Sequence, residues 1–138
     1  MSLKTHDFVE SNLPAENFSR IPLVPIVIQF DNGKQEFLTG LIDSGSDKSF
    51  IGVYYAVMIR GTIIDMATIA GITSPIETKP VIEIQISTEA MAKKWITLKV
   101  VVTDIQHPNH NLILGRDFMK LFKQITFDFE NEKTILNY

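Results

Sequence analysis

The chain contains no cysteine, so neither a disulfide framework nor a thiolate metal site is open to it, and its composition suits a reducing compartment. No apolar run approaches the ~18 residues that a membrane-spanning helix requires, and no basic segment leading into an apolar stretch opens the sequence as a secretory signal would. The expectation is an intracellular, cytoplasmic protein with no membrane partner. Long basic runs are missing too. A formal net charge of -3 and a pI near 5.5 leave no electrostatic footprint for nucleic acid or for an anionic lipid surface. Lys93-Lys94 reads as a solvated loop tip, and without a signal peptide the sequon Asn17-Phe18-Ser19 reads as a chance match. Histidine is scarce: of three, two fall in His107-Pro108-Asn109-His110, with only Asp104 nearby to complete a ligand set. That loop reads as ordinary surface, and neither a metal nor another cofactor is expected.

What is present is apolar residue in short, β-branched blocks. At 138 residues and 45% hydrophobic content the chain can bury one sizeable core but is short for two ordinary domains. Residues 1–20 are polar, without clear periodicity and interrupted by Pro14, and are expected to be an arm or linker; residues 21–138 form the domain. Ile21 to Phe30 is strand-like, yet Pro22 and Pro25 cannot donate ladder hydrogen bonds, so this strand belongs at an edge or is paired on one side near its start. The Asn32-Gly33 pair predicts a tight hairpin that returns the chain through Gln35 to Ile42. Phe50 to Ile59 suits a buried strand, or a mixture of strand and turn. Thr62 to Ile86 reads as a hairpin broken at Gly71-Ile72-Thr73-Ser74-Pro75. Val81 to Ile86 alternates, as does part of Trp95 to Val102. Arg116 to Lys123 carries the helical pattern, with Phe118, Leu121 and Phe122 at core spacing, and a closing hairpin follows. The fold class is all-β: a closed or partly closed barrel with one short helix late in the chain.

Two short stretches carry the chemistry. In Leu41-Ile42-Asp43-Ser44-Gly45-Ser46-Asp47 a buried strand ends in a carboxylate followed by two very small residues. Taken alone this is also ordinary turn chemistry, since Asp and Ser bond back to nearby N–H groups and Gly accepts positive φ. About seventy residues later a second apolar strand breaks at a glycine in Asn111-Leu112-Ile113-Leu114-Gly115-Arg116-Asp117. Together, in this order and spacing, the two motifs resemble the retropepsin-like aspartic proteases, the retroviral and retrotransposon enzymes with their cellular and bacterial relatives. The resemblance covers roughly Ile21 to Leu136.

The resemblance implies a single-lobe acid-protease barrel and an aspartic endopeptidase with Asp43 as the catalytic carboxylate. Peptide hydrolysis by aspartates takes two carboxylates facing each other across one water, and the chain has a single Asp-Ser/Thr-Gly. The second must then come from another subunit, which implies a homodimer acting on a peptide or polyprotein. Ser44 would bond across the two-fold axis, Gly45 would let backbone approach the substrate, and Ser46 would donate to the outer oxygen of Asp43. Asp47 would pair with Arg116. Gly71, Ile72 and Thr73 would lie in the flap, a hairpin closing over the bound peptide. The closing hairpin is more like that of cellular and bacterial relatives than the short terminal strand of retroviral enzymes. Two other readings are a catalytically inactive binding or dimerisation module on the same barrel, and an unrelated β-barrel whose Asp-Ser-Gly is only a turn.

Overall fold

The computed structural model describes residues 3–10, 20–30, 32–70, 75–92, 94–105 and 111–138, with Glu10 described by its backbone only. The strands are β1 (Leu3–Asp7), β2 (Val9–Glu10), β3 (Arg20–Ile21), β4 (Leu23–Gln29), β5 (Gln35–Ile42), β6 (Ser49–Gly52), β7 (Ile63–Ile69), β8 (Glu77–Ser87), β9 (Ile96–Thr103), β10 (Leu112–Leu114), β11 (Gln124–Asp128) and β12 (Lys133–Asn137). Helix α1 (Val53–Met58) follows β6, a 3-10 turn (Glu89–Met91) follows β8, and helix α2 (Arg116–Met119) follows β10. Among the described residues, no helix is long and apolar enough to cross a membrane.

Six strands in the order β4-β5-β10-β6-β9-β8 close into a barrel, because the late part of β4 also pairs with β8 through Val27↔Ser87, Ile28↔Ile86 and Gln29↔Gln85. Pro25 explains why that closure is partial. It stands opposite Thr39 of β5, and its other side, which has no N–H to offer, faces no strand. The prolines therefore act as expected, leaving the start of β4 paired on one side. The Asn32-Gly33 hairpin also forms: Gly33 takes φ 84°, Gly33 N–H donates to Phe30 O, and Lys34 N–H is caught by Asn32 Oδ1 at 2.9 Å.

Barrel strands send alternate residues inward. Ile26, Ile28, Ile51, Val100, Leu112, Leu114 and Phe118 are buried to within 1% of full enclosure and form one continuous core with Ile86 and Leu136. Each such side chain contributes about 1.5–3 kcal/mol relative to exposure. Phe118 and Phe122, both expected on the core face of the helical segment, stack with ring centroids 5.1 Å apart, although α2 itself ends at Met119.

Two segments depart from expectation. Val53–Met58 is a helix, where a strand or strand-and-turn mixture was anticipated; an unbroken apolar run has no periodicity to separate the two. The helix buries only Ala56 and ends where Arg60 adopts a left-handed φ of 52°. The segment expected to be an arm also contributes structure. β1 pairs antiparallel with β12 from Leu3↔Asn137 to Asp7↔Lys133, in a three-stranded sheet ordered β1-β12-β11, and Phe8 is buried. Its partner lies some 130 positions away, so local composition held no sign of it. The tip residues Gly71, Ile72 and Thr73, and the loop His107 to His110, lie outside the described residues.

Candidate active site

The site is built where β5 runs out. β5 and β10 are parallel, with Gly40↔Leu112, Leu41↔Ile113 and Ile42↔Leu114 in register. The pairing carries one step further: Asp43 N–H donates to Leu114 O at 2.9 Å. Asp43 is thus fixed by main chain at the barrel's rim, half-buried, with exposed Ser44 and Gly45 after it. Its carboxylate is oriented locally, because Gly45 N–H donates to Asp43 Oδ1 at 2.9 Å and Ser46 N–H donates to Asp43 O at 3.2 Å. A β-carbon at position 45 would stand 3.2 Å from Asp43 Oδ1, a tight contact beside the carboxylate.

Ser46 plays a different part from the expected one. Its hydroxyl donates to Lys48 O at 2.7 Å, closing the loop on itself, and the bond to the Asp43 carboxylate comes from the Gly45 N–H. Asp47 and Arg116 are likewise not joined: among the described residues no ion pair links them, and Arg116 Nη1 donates to the carbonyl of Ser44 at 2.7 Å. Both side chains are on the exposed side, where a water-facing carboxylate gains little from a partner. The two loops still meet, since Arg116 N–H donates to Ser46 O at 2.8 Å.

The tie that the ion pair was expected to supply is made by Ser49 and Asp117. Ser49 is fully buried; its hydroxyl donates to Asp117 Oδ1 at 2.6 Å and its N–H to Asp117 Oδ2 at 3.1 Å. The same hydroxyl accepts from Gly115 N–H at 3.0 Å, and Asp117 Oδ1 also accepts from Phe118 N–H at 2.8 Å. A carboxylate accepting from three donors, two of them across a 68-residue separation, is a brace between the strand leaving the loop and the start of α2. Sequence reasoning missed both residues, although Asp117 sits in the Gly-Arg-Asp motif itself; the signal was the acid beside the arginine.

A cleft of about 350 Å³ borders this loop, lined by Gly45, Ser46, Asp47, Lys48 and Phe50 on one side and by Thr68, Ile69 and Ala70 on the other. The second wall is the end of β7, which forms with β8 a hairpin paired from Ile63↔Ile82 to Ile69↔Glu77, bulged between Ile63 and Asp65. A larger cavity of about 690 Å³ lies by Phe37, Thr88 and Trp95; among the described residues it shares none with the loop, and its ionisable lining residue, Glu89, is paired with Lys4 at 2.8 Å. The larger cavity and the Asp43 loop are therefore at different places, and the smaller cleft is the one that borders the loop.

No family model matches the sequence, and no curated protein matches it. Solved structures do match in fold. EIAV protease in complex with the inhibitor HBY-793 is 22% identical, with a TM-score of 0.56 over 75% of this chain and 89% of that one. A retropepsin-like aspartic protease from Rickettsia conorii is 13% identical, with a TM-score of 0.62 over 99% of this chain and 94% of that one. The retroviral protease-like domain of Ddi1 from Leishmania major is 18% identical, with a TM-score of 0.51 over 80% and 82%.

Proposed function

We propose that this chain, which has the retropepsin-like fold, is an aspartic endopeptidase supplying one of two catalytic carboxylates, the other being Asp43 of a second copy in a homodimer. The observation that carries the reading is the placement of Asp43: a half-exposed carboxylate at the end of a barrel strand, held by Leu114 O behind and by Gly45 N–H at its side, next to a cleft under a hairpin.

Two carboxylates about 3 Å apart cannot both ionise, so such a pair holds one proton between them; aspartic proteases are the standing example. The ionised member takes a proton from the water as its oxygen attacks the scissile carbonyl carbon, and the protonated member gives its proton to the carbonyl oxygen. As the tetrahedral diol collapses, the carboxylate that gave its proton takes one back from a diol hydroxyl, the C–N bond breaks, and the other member gives its proton to the leaving amine, which restores the one-proton pair. Ser44, exposed beside Asp43, is suited to bond across the two-fold axis and hold the two loops together. The Ser49–Asp117 brace fixes each loop to its own barrel, so the carboxylates meet without reorganising. The substrate is an extended peptide or polyprotein segment that lies as a strand between the loop and the β7–β8 hairpin, which opens to admit it.

The alternative, an inactive binding or dimerisation module, would have no use for a carboxylate oriented by the Gly45 N–H at 2.9 Å. The deciding experiment is a peptide-library digest from about pH 3 to about pH 7 with wild type and Asp43→Asn, with and without a pepstatin-type inhibitor. Cleavage that disappears in the variant and with the inhibitor supports the proposal. Cleavage untouched by the substitution, or none under any condition, favours the module.

A further inference from the structure

Strand β1 is held at its edge by groups that all weaken as the solution turns acidic. Alternation puts Lys4 and His6 on one face of the strand, opposite Leu136 and Thr134, both fully buried. His6 Nε2 is enclosed and, among the described residues, has no hydrogen-bond partner; neither has Thr134 Oγ1 across from it. Lys4 reaches Glu89 of the 3-10 turn at 2.8 Å, and Asp7 is bonded by Lys133 of β12. Beyond these, β1 has its five-residue ladder to β12, and Phe8 follows with its N–H on Glu132 O. Leu3, the largest apolar side chain of β1, is exposed, so little apolar burial holds the strand.

We propose that β1 is an acid-released clasp: as pH falls below neutral it leaves the edge of β12, and the bared edge pairs with a second copy of this chain. A proton placed on His6 would put a cation in an enclosure with no acceptor at Nε2. The charged groups facing it are Glu89 from the 3-10 turn, Lys4 and Asp7 from its own strand, and Lys133 behind Asp7; β4, which also packs on β1, brings no ionisable side chain. Burial outweighs the attraction of Glu89, so His6 titrates below its ordinary 6.5. A histidine with a lowered folded pKa contributes stability above 6.5 that is lost as pH falls through the folded value. Glu89, held down by Lys4, and Asp7, held down by Lys133, act in the same direction below their ordinary 4.5 and 3.8. Both acids are exposed, so His6 sets the onset and they complete the release.

The choice of occupant rests on the proposed function. A bared β12 offers a row of unpaired N–H and C=O groups, and a two-fold axis makes antiparallel pairing of a strand with its own mate self-complementary. The chain holds one Asp-Ser-Gly, so its proposed site is incomplete until a second copy arrives.

The test is hydrogen exchange of the full chain at about pH 7 and about pH 5, corrected for the intrinsic pH dependence of amide exchange, with sedimentation velocity in the same buffers. The opening constant of Leu3–Asp7 is expected to be higher at the acid pH than at neutral, the direction that a lowered folded pKa of His6 gives. β11, on the other edge of β12, stays unchanged while the sedimenting mass moves from one copy to two. His6→Leu and His6→Asn, both without a titrating group there, flatten the pH dependence of β1. Wild-type β1 opening that does not change with pH overturns the clasp, as does an undiminished response in folded variants. Release without association overturns the second-copy clause. None of these readouts is proteolysis, so a failure of the catalytic proposal shows separately, in the Asp43→Asn digest.

Discussion

A β-carbon at position 115 would stand 2.3 Å from the carbonyl oxygen of Lys48 and 2.7 Å from that of Ser46, both main chain of the loop that follows Asp43. Gly115→Ala must therefore push the loop and α2 apart, and its cost is expected at or above about 3 kcal/mol, the upper end for overpacking. A urea titration would show it as a lower midpoint. Ser49→Ala strands the buried Gly115 N–H and removes one of the three hydrogen bonds to Asp117, and is expected to cost about 1–3 kcal/mol. The structure makes a sharper forecast through a double-mutant cycle. Ser49→Ala with Asp117→Ala should show a coupling of about 0.5–3 kcal/mol, whereas Asp47→Ala with Arg116→Ala should add almost independently. A strong Asp47–Arg116 coupling would restore the ion pair that the structure does not contain. That β5 ends just before Asp43 and the chain then turns at Gly45 was legible in the sequence, because residue order fixes where a strand stops, whereas the meeting of the two motifs was only what the resemblance implied. The partners of Ser46, Arg116 and Asp117 were not legible, because one-residue choices between neighbouring donors and acceptors are made by three-dimensional packing.

At the scale of elements, what the sequence disclosed was local chemistry: Asn32-Gly33 with its positive φ, Pro25 with its missing donor, alternation in β8. What it hid was decided at a distance. Leu-Lys-Thr-His-Asp is polar and aperiodic by itself and becomes β1 only because β12 offers an edge. Because Pro25 is exposed and has no second ladder to serve, Pro25→Thr should leave stability within about 0.5 kcal/mol of wild type, the range of an ordinary surface change. The β11–β12 turn has its own pH response. Asp128 accepts from Asn131 Nδ2 at 2.8 Å and from Asn131 N–H at 3.0 Å, and these bonds hold its carboxyl below the ordinary 3.8. Its contribution is therefore present above 3.8 and lost as pH falls through the lower folded value. Exchange protection at Asn131 should drop in that window in wild type and be low throughout in Asp128→Ala.

For the whole molecule, the proposed site, shared by two copies, would make activity a property of pairs. If copies exchange freely, mixing wild type with an equal amount of Asp43→Asn should leave about one quarter of the pairs with two intact carboxylates, so activity per wild-type chain falls to about half. Activity per chain should also decline on dilution below the dimer dissociation constant. Activity that follows the wild-type fraction linearly and ignores dilution would mean that each copy works alone.

The brace between Ser49 and Asp117 has a bearing on the order in which a ribosome delivers this chain. Asp43 and its loop leave the exit tunnel first, and Leu114 O, Gly115 N–H and the Asp117 carboxylate, which hold that loop in shape, arrive about seventy residues later. At about 5–20 residues per second this is a lag of several seconds at least. During it the nascent segment carries the acid without the geometry, and the seat of the proposed chemistry is assembled only after the second motif has emerged.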